Sequence, residues 1–186
     1  MGLPFNLDEV KATHIAQKIV PGAYVAQIKK VETVEDKQYH KISFDIVEGV
    51  HKGHYEELYA SDKDRYENGE LPEEPKWRGV FLRSYKQTAA SFYKQFIEAI
   101  ANSNDNFKFD QSNPEWYKAY ENQLIGVVFG EEEFEQRGDI LVAVRVQSVC
   151  TIHQARKGLI KAPKRRTLAS QSSNGMRPVD GADLPF

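Results

Sequence analysis

Polar and apolar residues alternate with a period of two in five separate stretches of this chain. In residues 23–32, for example, Tyr24, Ala26, Ile28 and Lys30 fall on one side, and Val25, Gln27, Lys29 and Val31 fall on the other. Such alternation is typical of half-buried β-strands, and short polar turns at 35–37 and 136–138 would join two pairs of them into hairpins. The pattern predicts strands at residues 23–32, 38–49, 54–61, 123–135 and 139–152.

Helical spacing appears in three other places. Residues 7–19 begin after a capping Asn6, residues 113–120 carry a proline at the first helical position, and residues 88–104 have the strongest pattern. In that third segment Phe92, Phe96 and Ile100 are spaced to form a buried stripe. Residues 62–75 are charged and lack periodicity, which predicts a loop, and residues 77–85 are expected to be extended.

The order is therefore three strands, a helical insertion and a final hairpin. A mainly β, α+β fold of this kind, with helices between strands three and four, is the order of a five-stranded OB-fold barrel. An SH3-like barrel and part of a β-sandwich are the alternatives. We predict one domain over residues 1–160 and a flexible, basic, disordered C-terminal tail over residues 161–186.

Composition adds a cellular setting to this fold. Hydrophobic residues make up 40% of the 186, which is enough for a core, and no apolar run approaches the length of a membrane span. The N-terminus lacks the pattern of a secretory signal, and the one cysteine, Cys150, cannot form an internal disulfide. We therefore predict a soluble protein of the cytoplasm.

The net charge of −2 conceals a strong segregation of charge. Residues 75–97 and 140–179 contain no acidic residue, yet together they hold 13 of the 25 lysines and arginines. Local potential rather than net charge attracts a polyanion, so these two tracts favour nucleic acid as a partner.

Within the first tract, cations alternate with aromatic residues. Unpaired bases stack on aromatic rings and phosphates attract Lys and Arg, so this combination is typical of a surface that binds single strands. Aromatic residues of the first hairpin and a basic run after the last strand extend the surface. The predicted DNA-binding residues are Tyr24, Lys29, Tyr39, Lys41, Lys76, Trp77, Arg78, Arg83, Tyr85, Lys86, Tyr93, Lys94, Arg156 and Lys157.

Patterns for catalysis or metal binding are weak. Asp62, Asp64 and Glu73 have the spacing of three calcium ligands in an EF-hand loop, but Glu67 replaces its obligatory glycine. The His51/His54 and Cys150/His153 pairs each lack two further zinc ligands. We expect a protein that is not an enzyme and needs no cofactor or metal, although a nuclease built from carboxylates that the fold assembles stays open.

The chain ends in "DGADLPF", an acidic and apolar tip after a polar, basic segment. This tip resembles that of the bacterial single-stranded DNA-binding proteins and their phage-encoded counterparts, which join an OB-fold to a disordered linker and a Pro-Phe terminus. The resemblance implies that the tip recruits replication, recombination and repair enzymes. Its partner-docking residues would be Asp180, Asp183, Leu184, Pro185 and Phe186. The family's linker is usually acidic, whereas this one is basic up to the last seven residues.

The resemblance therefore implies a phage single-stranded DNA-binding protein that coats exposed strands during replication and recombination, in the cytoplasm of a bacterial host cell. The alternatives are a recombination mediator or strand-annealing protein, a metal-dependent nuclease, and an adaptor that acts only through its tip. A free strand edge in the barrel would also allow homo-oligomerisation.

Overall fold

The computed structural model describes residues 17–173, with side chains as far as Ser170. Its elements are β1 (Gly22–Val34), β2 (Tyr39–Ile46), α1 (His54–Glu67), β3 (Val80–Ser84), α2 (Ala90–Ala101), β4 (Leu124–Gln136), β5 (Asp139–Cys150), α3 (Ile152–Arg156) and α4 (Leu168–Ser173). Two short 3₁₀ helices, Gln87–Ala89 and Trp116–Tyr120, lie on either side of α2 in the chain. The predicted α+β class is confirmed.

The five strands form one antiparallel sheet in the order β3-β2-β1-β4-β5. Both predicted hairpins are present because each has a turn residue that accepts positive φ. Gln38 has φ 55° at the β1–β2 turn, and Arg137 and Gly138 have φ 54° and 88° at the β4–β5 turn. Two consecutive residues with positive φ give the turn whose twist matches that of a hairpin.

One face of the sheet, the core face, carries the hydrophobic core. Large side chains from three strands, among them Ile28, Phe44 and Phe129, are almost fully buried there against Phe96 of α2 and Tyr120. Burying a side chain of this size contributes about 1.5–3 kcal/mol, so this face holds most of the stabilising contacts.

The opposite face, which we call the second face, is covered only in part. Val25 and Val128 are buried on it, and α3 packs against β1 and β4 there. The position of α3 is fixed by a capping box, in which Thr151 and Gln154 satisfy each other's backbone N–H groups. Away from α3, the second face carries polar and charged residues together with Val34, Val80 and Leu82.

The predicted strand at residues 54–61 is wrong, because this segment is the first half of α1. Its buried residues His54 and Asp62 are eight positions apart, which is a helical spacing. The first turn is capped by a side chain from another element: the Asp45 carboxylate accepts hydrogen bonds from the N–H groups of Tyr55 (3.0 Å) and Glu56 (3.2 Å). The third strand is instead β3, within the segment 77–85 that was expected to be extended.

The helical insertion between β3 and β4 is confirmed, but its buried stripe differs from the prediction. Phe96 and Ile100 are buried as expected, whereas Phe92 is 50% exposed. The helix buries Tyr93 instead, three residues before Phe96 and seven before Ile100. The buried stripe of α2 therefore begins at Tyr93, one residue later than the predicted Phe92.

Predictions for the two ends of the chain fall wholly or partly outside the described residues. The predicted helix at 7–19 lies mostly outside the described residues, and residues 17–19 have no helical structure. The docking tip, residues 180–186, also lies outside them. The predicted boundary at residue 161 stays a prediction, although Arg166 pairs with the β4 backbone and Arg165 forms an ion pair with Glu131 (2.7 Å).

Candidate nucleic-acid interface

Three polar residues of β2 form the centre of the second face. Tyr39, Lys41 and Ser43 alternate with the buried residues of the core face. Directly opposed residues of antiparallel strands lie on the same face, so the strand register extends this centre on both sides. Tyr39 is opposite Val34 and Ser84, Lys41 opposite Glu32 and Leu82, and Ser43 opposite Lys30 and Val80.

A groove of about 480 Å³ lies where this face meets α1. Its lining residues are Lys29, Lys30, Ser43, Glu56, Tyr59, Pro75 and Trp77. The volume falls within the range of small-ligand pockets, and the lining joins two aromatic rings to two ammonium groups. A register shift in β1 between Ile28 and Lys30 brings two consecutive lysines to the groove instead of one.

Trp77 is held in the groove by the backbone of β2. Its indole N–H donates a hydrogen bond to the Phe44 carbonyl (3.1 Å), and its ring lies 5.8 Å from that of Tyr59. Gly79 makes this approach feasible, since a Cβ there would lie 2.3 Å from the same Phe44 oxygen and 2.6 Å from the Tyr55 ring. The glycine thus lets residues 77–79 run close against β2.

Asp45 fixes the other wall of the groove. Its carboxylate is buried at the end of β2 and accepts the two N–H groups that begin α1, the helix that carries Tyr59. It also accepts the N–H of Ile46 (2.8 Å). One buried carboxylate therefore joins the sheet to the helix across the groove.

The electrostatics of the groove are mixed rather than uniformly positive. Lys30 forms an ion pair with Glu32 (2.8 Å), and this contact raises the pKa of Lys30 and lowers that of Glu32. Lys41 lies 3.9 Å from the same carboxylate, and Glu56 is a further acid of the lining. Exposed pairs of this kind contribute little stability, so a phosphate can replace the carboxylate as partner at low cost.

Four of the predicted DNA-binding residues, Tyr24, Arg83, Tyr85 and Tyr93, pack against the core instead. Tyr93 is 9% exposed, and its hydroxyl lies 3.0 Å from that of Tyr120; burial strongly raises its pKa. Tyr24 packs against Phe129 on the core face, and its hydroxyl donates to the Val20 carbonyl (2.9 Å). The Tyr93 ring cannot stack on a base without leaving the core, and the half-buried Tyr24 ring lies on the opposite face of the sheet from the groove.

Tyr85 and Arg83 are placed similarly. The Tyr85 ring lies 4.8 Å from the buried His40 ring, and the Arg83 guanidinium lies 5.7 Å and 5.6 Å from the centres of the Phe81 and Phe96 rings. Burial lowers the pKa of Arg83. The tract 75–97 does not form one surface, because β3 alternates between the two faces and only part of the tract reaches the groove.

The other predicted cations are spread over the surface. Arg78 is bound by the Asp62 carboxylate, Arg156 makes a two-pronged contact with Glu48 (2.6–3.2 Å), and Lys94 lies 3.7 Å from Glu98 on α2. Lys76, Lys86 and Lys157 are exposed. Of the predicted residues, the structure brings Lys29, Tyr39, Lys41 and Trp77 to one face, with Lys76 next to Trp77 in the chain.

Five groove residues were not among the predicted ones: Lys30, Ser43, Glu56, Tyr59 and Pro75. The alternation of β2 already placed Ser43 beside Lys41. Tyr59 and Glu56 were hidden because their segment was assigned to a strand, where they would not have faced Trp77.

Within residues 17–173, no three His, Cys, Asp or Glu side chains are grouped so that they could hold a metal ion. Asp62, the first residue of the calcium-like pattern, is in α1 and is bound to Arg78. In the same described range, no helix is long and apolar enough to cross a membrane. A comparison of the chain with models of known protein families finds no match, and a search of curated proteins finds no significantly similar sequence.

Proposed function

We propose that this protein binds single-stranded DNA on the second face of its sheet, with Trp77 and Tyr59 as the surfaces on which bases stack. The observation that carries the proposal is the groove in which two aromatic rings meet Lys29 and Lys30. Stacking holds a base of any identity, and lysines hold the adjoining phosphates, so such a site binds single strands without strict sequence preference.

The strand order gives the proposal independent support. In an OB-fold, a three-stranded meander is followed by a hairpin whose first strand pairs with strand one, and the order β3-β2-β1-β4-β5 is that arrangement opened between β3 and β5. We propose that the sheet is an OB-fold barrel. OB-folds bind oligonucleotides on the face formed by strands two and three, where Tyr39, Lys41 and Ser43 lie.

The biological setting follows from this activity and from the tip. A protein that coats exposed strands during phage replication, recombination and repair would need to recruit other enzymes, and the terminal "DLPF" is suited to that role. Strand annealing, nuclease activity and a purely adaptor role are the rival outcomes.

Fluorescence anisotropy of labelled oligo-dT and of a duplex of equal length tests the proposal directly. We expect the full chain to bind the single strand tightly at low salt, to bind it less tightly as salt rises, and to leave the duplex unbound. Absence of single-strand binding at low salt would refute the proposal. Magnesium-dependent loss of the oligonucleotide would instead indicate a nuclease.

Variants of Trp77 test whether its ring stacks on a base. Trp77→Ala should weaken binding roughly 5- to 150-fold, the equivalent of one stacked base at about 1–3 kcal/mol. Trp77→Phe keeps a ring but not the N–H donor, so it separates stacking from the hydrogen bond to Phe44. The matched control is Phe92→Ala, which removes an exposed aromatic ring of the same tract outside the groove and should leave the affinity unchanged.

The lysines have their own signature in the salt dependence. If Lys29 and Lys30 each neutralise one phosphate, replacing both with Ala should reduce the slope of log K against log[salt] by about 1.4. Lys94→Ala on α2 is the matched control and should keep the wild-type slope. An unchanged slope in the double variant would remove the groove lysines from the interface.

A further inference from the structure

The end of the β4–β5 hairpin extends past the rest of the sheet as a two-stranded arm. β1 begins at Gly22, which pairs with Phe129, and β4 and β5 then continue together as far as their turn at residues 137–138. Residues 130–145 form this arm. Its β5 half carries the exposed apolar side chains Ile140 (64% exposed), Leu141 and Val142.

The two edges of the arm differ. The β4 edge is covered by the chain itself, since the Arg166 N–H donates to the Glu131 carbonyl and the Arg166 carbonyl accepts from the Glu133 N–H, both at 2.9 Å. Within residues 17–173, no backbone hydrogen bond to a further strand is found along residues 139–146 of β5. One edge of the arm is therefore paired and the other is open.

The same bonds reveal which groups face outward on the open edge. Because Glu131 and Glu133 direct their backbone groups toward Arg166, their opposite residues Val144 and Val142 do not bond to β4 through those groups. The N–H and C=O groups of Ile140, Val142 and Val144 point away from the sheet, where they can pair with another strand.

This edge also lacks the usual protection against pairing. Exposed edge strands normally carry lysine, proline or a bulge that prevents association with another chain. Residues 140–144 read Ile-Leu-Val-Ala-Val, and no register shift occurs between β4 and β5 in this part of the arm. Because every residue of this segment is apolar, a strand that pairs with this edge would find apolar neighbours on both faces of the sheet.

We propose that two copies of this chain associate through their β5 edges, antiparallel and centred on Val142. In this register Val142 is opposite its counterpart and Ile140 is opposite Val144, so the outward backbone groups of one copy meet those of the other. Leu141 is opposite Ala143, which sets apolar side chains against each other on both faces of the sheet.

Charge selects this register over its neighbours. Centring on Val142 sets Asp139 of each copy opposite Arg145 of the other, and both residues lie on the same face of the arm. Arg145 is held on that face by the Phe134 ring (5.0 Å) and by Glu132 (4.0 Å). One Asp139–Arg145 pair therefore lies at each end of the paired segment, and the residues between them are apolar.

The first test is the mass of the full chain in solution, measured by light scattering after size exclusion over 5–100 μM. We expect twice the 21.3 kDa of one chain. Val142→Lys should give the monomer, because it brings two like charges together across the two-fold axis while Glu133 lies opposite each new lysine within its own hairpin. Val50→Lys is the matched control, at a site that is 82% exposed in the loop before α1, and should stay dimeric.

A charge exchange tests the register. Asp139→Arg and Arg145→Asp alone should each raise the dissociation constant of the dimer by at least roughly 2- to 30-fold, because each removes two attractive pairs and sets like charges opposite each other. The double variant D139R/R145D should restore dimerisation, an outcome that damage to the hairpin would not produce. A monomeric wild type, a dimeric Val142→Lys variant, or no rescue in the double variant overturns the proposal. All these measurements are made without DNA, so their result is independent of the proposed function.

Discussion

The imidazole of His40 is enclosed by aromatic rings, and this gives the fold a specific sensitivity to acid. His40 is only 1% exposed. Its ring lies within 4.8–6.5 Å of the rings of Tyr85, Tyr93, Trp116, Tyr117 and Tyr120. The Nδ1 atom is 3.0 Å from the Thr33 hydroxyl, and Nε2 has no hydrogen-bond partner among the described residues.

Burial lowers the pKa of His40 from its ordinary value of 6.5 to about 4. The unfolded chain therefore takes up a proton at a higher pH than the folded protein does. The stability associated with neutral His40 is fully present above pH 6.5, falls as the pH decreases from 6.5, and is lost once the pH reaches about 4. Between pH 7 and pH 4.5 the loss amounts to about 2 kcal/mol, at about 1.4 kcal/mol per pH unit in the steep part of the curve.

The assay is urea unfolding followed by far-UV circular dichroism at a series of pH values, for the wild type and for His40→Phe. Phenylalanine fills a similar volume but cannot take up a proton. We expect the free energy of unfolding to fall by about 2 kcal/mol less in the variant than in the wild type over this range. The control is His153→Ala: its ring is exposed on α3, so wild-type pH dependence should persist. Identical pH dependence in wild type and His40→Phe would refute the reasoning.

Three further predictions concern the groove and its support. Asp45→Ala leaves three N–H groups without their acceptor and should lower the free energy of unfolding by about 1–3 kcal/mol in urea titrations; a loss below about 0.5 kcal/mol would contradict the cap. Gly79→Ala forces a methyl group against Phe44 and Tyr55 and should cost about 1–3 kcal/mol in the same assay, whereas Gly69→Ala, with open space around its Cβ but positive φ, measures backbone strain alone. Burial raises the pKa of Cys150 to about 11, so a thiol reagent at pH 8 should label the native protein slowly and one thiol rapidly after unfolding; equally rapid labelling of both states would argue against this burial.

The parts of the fold that could be read from the sequence are those with a clean period and a recognisable turn. Both hairpins were predicted because alternating residues are interrupted by polar turns at residues 35–37 and 136–138, and the structure has both hairpins. The helix α1 was not found, because its apolar residues are few and its cap, Asp45, comes from a neighbouring strand ten residues before Tyr55. A capping contact between elements leaves no local pattern in the sequence.

The candidate site shows the same division. The composition of an acid-free, aromatic tract identified Trp77. Composition does not indicate which way a side chain points, so Tyr93 and Arg83 were included although they point into the core. The ring that accompanies Trp77 in the groove is Tyr59, and it depends on α1 being a helix. The site could be predicted only as far as the secondary structure around it was right.

The two proposals together predict a dependence of DNA affinity on oligonucleotide length. Antiparallel pairing of identical edges makes the two-fold axis perpendicular to the sheet. Both second faces therefore lie on the same side of the dimer. Lys30 lies eight residues along β1 from Gly22, where the arm begins, which is a strand length of up to about 27 Å, so the two grooves are separate sites on the dimer.

A short oligo-dT can occupy one groove only, whereas a long one can reach both and gains affinity from the second, linked contact. Val142→Lys should therefore leave the affinity for the short strand unchanged and reduce that for the long strand, as measured by anisotropy with two oligonucleotides of different length. Equal losses for both lengths would mean that the arm affects the groove itself. Equal affinities of wild type and variant for the long strand, in a protein shown to be dimeric, would mean that one DNA strand does not span the two copies.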